Sequence, residues 1–207
     1  MRLYLSSYKI GNEAEKLLEM AAGNKRTALI PNAMDGYKDE AEIRLSIESD
    51  LEELRAVGLE PEVVDLKEYF GETEELRERL KGIGVFWVRG GNTFTIRQAM
   101  QLSGFDTILK ELWLSYSGIV YGGYSAGICV LCPTLEGIHL ADDPEAKPYG
   151  TEHETIWKGL DIVPYCIAPH YRSEHFESPL IDRCIEYYID NKMWFVALRD
   201  GEVLIVE

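Results

Sequence analysis

Short apolar segments alternate with amphipathic helical patterns through the first two thirds of the chain, and this alternation constrains the fold more than any other feature. Near-continuous apolar strands separated by amphipathic helices are typical of a parallel sheet that is covered on both faces. We therefore predict an α/β fold with a doubly wound, mostly parallel sheet in three layers. The predicted strands are 2–7, 26–33, 60–66, 84–92 and the run into Gly122-Gly123-Tyr124-Ser125-Ala126-Gly127, and the predicted helices are 12–23, 39–58, 73–82, 93–102 and 106–118.

The remaining third is less regular in pattern. Residues 132–160 are rich in Pro, Gly, Asp and Glu and are expected to form loops or a hairpin. A strand within 161–171 ends at His170, and a helix follows over 178–191 with Ser178 as its cap. The Asp-Gly pair at Asp200 predicts a hairpin that joins strands 194–198 and 202–207. Without a repeat or a linker, residues 1–207 are predicted to form a single domain.

The charge of the chain limits its partners. Twenty-one basic against 36 acidic side chains give a formal net charge of −15, which repels nucleic acid and anionic membrane surfaces. No apolar run approaches the roughly 20 residues that span a bilayer. The N-terminus turns polar too early for a signal peptide. We expect a cytoplasmic monomer or homodimer that acts on a small molecule or peptide, without binding nucleic acid or membranes.

The motif around Ser125 has the G-x-S-x-G spacing between a predicted strand and a predicted helix over 125–131. Small residues on both sides permit a sharp turn that exposes the serine, and the helix start directs N–H groups toward it. Arg89-Gly90-Gly91-Asn92 ends the preceding strand, so it is expected at the same sheet edge. Either Gly90 or Gly91, with the N–H of Ala126, could stabilise an oxyanion. The alternatives are a phosphate-binding loop or a plain tight turn.

A serine nucleophile requires a base, and His170 follows a strand that should end at the same edge. The other histidines, His139, His153 and His175, lie in irregular or solvated-looking segments. His170 and His175 could begin a metal site, but the sequence implies no third ligand, so we expect no metal and no cofactor. The Cys129-x-x-Cys132 pair has no second pair to complete a zinc site and is expected to be small buried core.

Several carboxylates are candidates for orienting the imidazole of His170. Asp200 follows a strand that would bring it to the same edge, although it also fits a plain turn residue. The other candidates are Glu174 and Glu177, close in sequence to His170, and Asp142 and Asp143, in the irregular segment.

Four segments together resemble the peptidase E (aspartyl dipeptidase) family of serine peptidases, whose fold is similar to class I glutamine amidotransferases. They are RGGNTF (89–94), YGGYSAGICVLCPT (121–134), IAPHY (167–171) and ALRDG (197–201). The resemblance implies Ser125 as nucleophile, His170 as base, Asp200 as third member, and oxyanion donors from the glycine loop and Ala126. Asn92, Tyr124 and Arg172 are further candidates for contacting substrate.

The chain differs from the family pattern after the histidine. The family's dipeptidases have a longer loop there, with an arginine that binds the aspartate side chain of the substrate. Here the segment is shorter, with Arg172 and Arg183 as candidates, so the resemblance leaves strict Asp-X specificity open. We expect a peptidase E-type serine hydrolase that cleaves small peptides through an acyl-enzyme. The alternatives are a non-catalytic anion or small-molecule binder, and an acyltransferase or amidase with the same triad.

Overall fold

A six-stranded sheet forms the centre of the computed structural model, which describes residues 1–115 and 117–207. The strands in chain order are β1 (Arg2–Ser6), β2 (Arg26–Ile30), β3 (Glu60–Val63), β4 (Val85–Val88), β5 (Val120–Tyr124), β6 (Cys166–Ala168), β7 (Phe195–Ala197) and β8 (Val203–Val206). The central sheet has the order β3-β2-β4-β5-β1-β8, and among the described residues only the pairing of β8 with β1 is antiparallel. This mostly parallel sheet confirms the predicted fold class.

Helices cover both faces of this sheet. They are α1 (Ala14–Met20), α2 (Glu40–Ala56), α3 (Thr73–Arg79), α4 (Thr93–Ser103), α5 (Phe105–Leu114), α6 (Ala126–Cys129) and α7 (Ser178–Asp190). Successive side chains of a strand point to opposite faces. Trp87 of β4 therefore packs with Leu17 and Leu54 of α1 and α2, whereas Phe86 belongs to a second core with Phe105 of α5. The result is the expected three-layer arrangement.

The predicted hairpin around Asp200 is wrong. β7 pairs in parallel with β6 in a separate two-stranded sheet, and β8 pairs antiparallel with β1 of the central sheet. The chain does turn here, because the N–H of Glu202 donates to the carbonyl of Arg199 at 2.9 Å. A local turn does not select the partners of its flanking strands, however. The free edge of β1 offers backbone groups that need partners, and β8 satisfies them.

Local helix boundaries also differ from the prediction in places. Ser178 is the first residue of α7 rather than its cap, and its Oγ accepts a bond from the N–H of Ser173 at 3.3 Å. The segment 132–160 contains only a short 3-10 helix, Ile138–Leu140, and an isolated bridge between Thr134 and Lys158, within the described part of the chain. The predicted helix 106–118 includes position 116, which lies outside the described residues.

Within residues 1–115 and 117–207, the structure contains no helix with the length and apolarity needed to traverse a bilayer.

Candidate active site

The serine motif forms a sharp turn between β5 and α6. Ser125 has φ 51° and ψ −120°, a conformation that L residues rarely adopt. A Cβ atom on Gly123 or on Gly127 would lie 2.3 Å or 2.0 Å from the carbonyl oxygen of Val88. Only glycine therefore fits at these two positions against the end of β4. The spacing of the motif is thus explained by close backbone packing around a strained serine.

The glycine loop lies beside this turn because β4 and β5 are neighbours in parallel register, with Val88 paired to Gly123. A Cβ on Gly90 would lie 3.0 Å from Cβ of Ser125, and Gly91 has φ 146°. Among the described residues, neither Gly90 nor Gly91 donates its backbone N–H to a partner. Ala126 adds an N–H from the first turn of α6. Gly90 therefore lies against Ser125, and Gly90, Gly91 and Ala126 are the candidate backbone donors at this turn.

His170 follows β6 and is almost fully buried. Its Nδ1 lies 2.7 Å from Oδ1 of Asp200. Burial lowers the pKa of His170, the neighbouring His175 lowers it further, and Asp200 opposes both effects. A carboxylate only accepts hydrogen bonds, so Asp200 favours the tautomer in which Nδ1 carries the proton. The Nε2 lone pair is then free to accept a proton.

Ser7 contacts each of the three segments of this site, and the sequence analysis missed it. Its Oγ donates to Oδ1 of Asp200 at 2.9 Å and accepts from the N–H of His170 at 2.8 Å. Its carbonyl accepts from the N–H of Ser125 at 3.2 Å. Ser7 directly follows β1, which lies between β5 and β8, and only this strand order reveals its position. The N–H of Asp200 is held by Oγ of Ser173 at 2.8 Å.

A cavity of about 630 Å³ opens over this arrangement, and Ser125, His170, Gly90, Gly91 and Tyr124 all line it. The exposed rings of three further residues form its walls: Tyr8, Tyr37 and Phe176. The sequence did not predict these three side chains, because exposed aromatic residues in loops form no recognisable pattern.

Two cationic side chains beneath the cavity form ion pairs with carboxylates of α2. Arg89 approaches its Oδ2 at 3.0 Å, and Lys9 approaches its Oδ1 at 2.5 Å. The hydroxyl of Tyr124 also bonds to Oδ2 of Asp50 at 3.0 Å. Lys9 also approaches Oε1 of Glu53 at 3.1 Å, so two carboxylates balance the two cations and this floor is polar and close to neutral.

Two of the three candidate substrate-binding residues, Asn92 and Arg172, do not line the cavity. The side chain of Asn92 caps α4 by accepting from the N–H groups of Phe94 and Thr95, and it donates to the carbonyl of Asp143. The guanidinium of Arg172 lies 5.0 Å from the centroid of the Tyr171 ring, outside the cavity lining. Both side chains therefore serve local structure.

Among the described residues, none of the alternative acids contacts Nδ1 of His170. Asp142 accepts the N–H of Thr93 at 2.9 Å, at the start of α4. The carboxylate of Glu177 lies 3.8 Å from Nε2 of His170, the nitrogen opposite to the one that Asp200 contacts. Of the candidates, Asp200 is the one placed to orient the imidazole through Nδ1.

A second histidine extends the site. His175 stacks on His170 with 3.7 Å between ring centroids and 8° between planes. Its Nδ1 lies 3.7 Å from Oε2 of Glu177. Burial raises the pKa of Glu177 to about 7, with smaller contributions from Asp142 and Asp200. His170, His175 and Glu177 together offer three metal-ligating atoms within 4.8 Å of one another, and Glu177 is the third donor that the sequence analysis did not find.

The four cysteines are free thiols and all are buried. Burial holds the pKa of the Cys129 thiol well above its usual value, so this thiol stays protonated at neutral pH. Cys129 and Cys132 belong to the core beneath α6, as the sequence predicts.

Comparison with known proteins gives a consistent family. The family model described as "Peptidase family S51" matches residues 5–207. The chain is 29% identical to an uncharacterized peptidase of Listeria innocua over 79% of this chain and 77% of that protein. It is also 29% identical to a peptidase E of Nostoc over 65% of this chain, which is 53% of that protein's length.

Solved structures support the fold. A crystal structure of a putative peptidase E protein from Listeria monocytogenes superposes with a TM-score of 0.75 at 21% identity, covering 99% of this chain and 96% of that one. A peptidase from an acI-B1 actinobacterium gives a TM-score of 0.71 at 17% identity, covering 99% and 82%.

Proposed function

This chain belongs to peptidase family S51, which makes it a serine-type peptidase, and from the geometry of its cavity we propose that Ser125, His170 and Asp200 form its catalytic triad. The observation that carries the proposal is the 2.7 Å contact between Nδ1 of His170 and Asp200, beside a strained serine that lines the same cavity as His170. An imidazole held in this way presents an unprotonated Nε2, which is what a serine nucleophile requires.

In the first half of the reaction, Oγ of Ser125 bonds to the carbonyl carbon of the peptide, and its proton passes to Nε2 of His170. The carbonyl oxygen becomes an oxyanion that the N–H groups of Gly90, Gly91 and Ala126 stabilise. The C–N bond then breaks, and His170 gives its proton to the departing amine. Asp200 stabilises the imidazolium during this step without taking the proton.

In the second half, water attacks the acyl-enzyme and His170 accepts a proton from it. The new tetrahedral intermediate collapses by breaking the bond to Oγ of Ser125, and the same proton returns to the serine. The two products are a peptide or amino acid with a new carboxylate and one with a new amine.

The cavity is suited to a small peptide substrate by its volume of about 630 Å³ and its aromatic walls. Neither Arg172 nor Arg183, the candidates for binding an aspartate side chain, lines it. The cations that do line it are Lys9, Lys38 and Arg89, of which Lys9 and Arg89 are paired with Asp50. The proposed reaction is therefore the hydrolysis of small peptides in the cytoplasm, with no residue assigned to an aspartate side chain of the substrate.

The test is intact-mass spectrometry after treatment with a fluorophosphonate, which phosphonylates activated serines. We expect a single adduct on the wild type that is lost in Ser125→Ala and His170→Ala, while His153→Ala retains it. An adduct that survives Ser125→Ala would overturn the assignment of the nucleophile. No adduct on any protein, together with ligand binding that is unchanged in Ser125→Ala, would favour a binding protein on the same scaffold.

A further inference from the structure

The side chains of His170, His175 and Glu177 form a cluster whose composition is unusual for a peptidase cavity that needs only one histidine. The nitrogen Nε2 of His170 lies 3.8 Å from Oε2 of Glu177, and the same oxygen lies 3.7 Å from Nδ1 of His175. Each of the three side chains is buried or half-buried at the cavity wall. Two imidazoles and one carboxylate are a common set of protein ligands for Zn²⁺ in sites that keep one position open.

The surroundings of His170 match those of a zinc ligand. A histidine that binds zinc through one nitrogen commonly donates its other N–H to a carboxylate, which fixes the tautomer and increases the basicity of the ligating atom. Asp200 accepts from Nδ1 of His170 at 2.7 Å, so Nε2 is the free nitrogen. This is also the nitrogen nearest to Glu177.

A metal would have to displace one present contact of His175. Nδ1 of His175 accepts the N–H of Glu177 at 3.3 Å, and this bond must break before the same nitrogen binds a metal. Among the described residues, the carboxylate of Glu177 lies within 4 Å of these two histidines and of no lysine or arginine.

One rearrangement is required. The two rings stack with 8° between their planes, and the lone pair of an imidazole nitrogen lies in the plane of its ring. Two parallel rings cannot direct both lone pairs at one ion. His170 is fixed by Asp200, whereas the partly exposed side chain of His175 lies at the cavity mouth beside Tyr8 and the exposed Phe176. Zinc coordination by both imidazoles therefore requires His175 to rotate out of the stack.

We propose that His170, His175 and Glu177 form a reversible zinc site that switches the peptidase off. Zinc bound to Nε2 of His170 occupies the lone pair that must take the proton of Ser125, so the metal and the proton transfer exclude one another. The inhibitory consequence rests on the proposed triad, but the metal site itself does not.

The site is tested first by binding alone. Titration calorimetry with ZnCl₂ on the whole protein is expected to show one ion per chain, with affinity reduced at least about tenfold in Glu177→Gln and in His175→Ala. The matched control is His153→Ala, which removes a histidine beside Glu152 at 3.7 Å in an exposed segment and should leave the affinity unchanged. Mg²⁺ should not compete, because it prefers an all-oxygen site.

The consequence is tested by fluorophosphonate labelling with and without zinc. Each variant is compared with itself in the presence of a chelator, so that changes in its basal rate cancel. Zinc should slow labelling of the wild type at least tenfold, reversibly, and should slow Glu177→Gln much less.

Two results would overturn the site: no zinc binding by the wild type, or binding of equal affinity in the wild type, Glu177→Gln and His175→Ala. Zinc binding without any effect on labelling would leave the site intact and would refute its link to Ser125. Failure of labelling in the chelated wild type would count against the triad alone.

Discussion

The contact between His170 and Asp200 makes Asp200→Asn the most informative substitution in this protein. In the wild type, Oδ1 of Asp200 accepts from Nδ1 of His170 at 2.7 Å and from Oγ of Ser7 at 2.9 Å. Asparagine has nearly the same shape but is neutral. If its carbonyl oxygen takes the position of Oδ1, both bonds are kept and only the negative charge is lost. If its NH₂ group takes that position, Nδ1 must accept from it, and the imidazole proton moves to Nε2.

In the second orientation, His170 is protonated at Nε2 and cannot accept the proton of Ser125. Loss of the correct tautomer in a serine triad lowers kcat by about 10⁴-fold, which corresponds to about 5.5 kcal/mol in the activation free energy. In the first orientation, the imidazolium that forms during the reaction loses the carboxylate that stabilises it, so the rate falls as well. The change in folding stability should be much smaller, because the side chain of Asp200 is about one quarter exposed and its backbone N–H keeps its bond to Ser173.

The assay is the second-order rate of fluorophosphonate labelling, followed by intact mass, with thermal unfolding measured in parallel. The matched control is Asp190→Asn, the same chemical change on the exposed end of α7. The reasoning would be refuted by a folded Asp200→Asn protein that labels at more than a tenth of the wild-type rate. A loss of labelling accompanied by unfolding would be resolved with Asp200→Glu, which restores the acceptor and should recover part of the rate.

Three further predictions concern the support of the site. Ser7→Ala leaves the buried N–H of His170 without its acceptor and should lower the free energy of unfolding by about 1–3 kcal/mol, measured by urea denaturation. Asp142→Asn should become more stable relative to the wild type as the pH rises from 4 to 7. Burial raises the folded-state pKa of Asp142 from 3.8 to about 6, so its ionisation costs the folded state about 3 kcal/mol that is absent below pH 4 and fully present above pH 6. Gly127→Ala should lose at least about 3 kcal/mol of stability in a thermal or urea melt, since its Cβ would lie 2.0 Å from the Val88 carbonyl oxygen.

A specific result would contradict each of these three predictions. Wild-type stability of Ser7→Ala would mean that water replaces the hydroxyl. A stability difference between Asp142→Asn and the wild type that stays constant with pH would refute the raised pKa of the carboxyl. For Gly127→Ala the control is Gly23→Ala, where an added Cβ meets no atom within 4 Å. Equal stability of the two alanine variants would refute the close packing at the serine turn.

The sequence alone determined the layered α/β fold and the position of the serine turn. Both depend on local signals: the apolar strands between amphipathic helices specify a covered parallel sheet, and Gly123 and Gly127 permit a turn that no other residue fits. The sequence also predicted that Gly90 lies close to Ser125, because neighbouring strands of a parallel sheet end at the same edge.

Only the tertiary structure decided which strands pair beyond β5 and which groups surround His170. The Asp-Gly turn fixes a change of direction at Asp200, but the free edge of β1 selects β8 as its partner and leaves β7 to β6. The same pairing places Ser7 against His170 and Asp200, across more than 160 residues of chain.

The cluster of His170, His175 and Glu177 likewise depends on how the segment after β6 folds over the cavity. Local sequence governs backbone preference within a few residues, whereas these contacts depend on which hydrogen-bonding groups and charges remain unpaired after the sheet has formed.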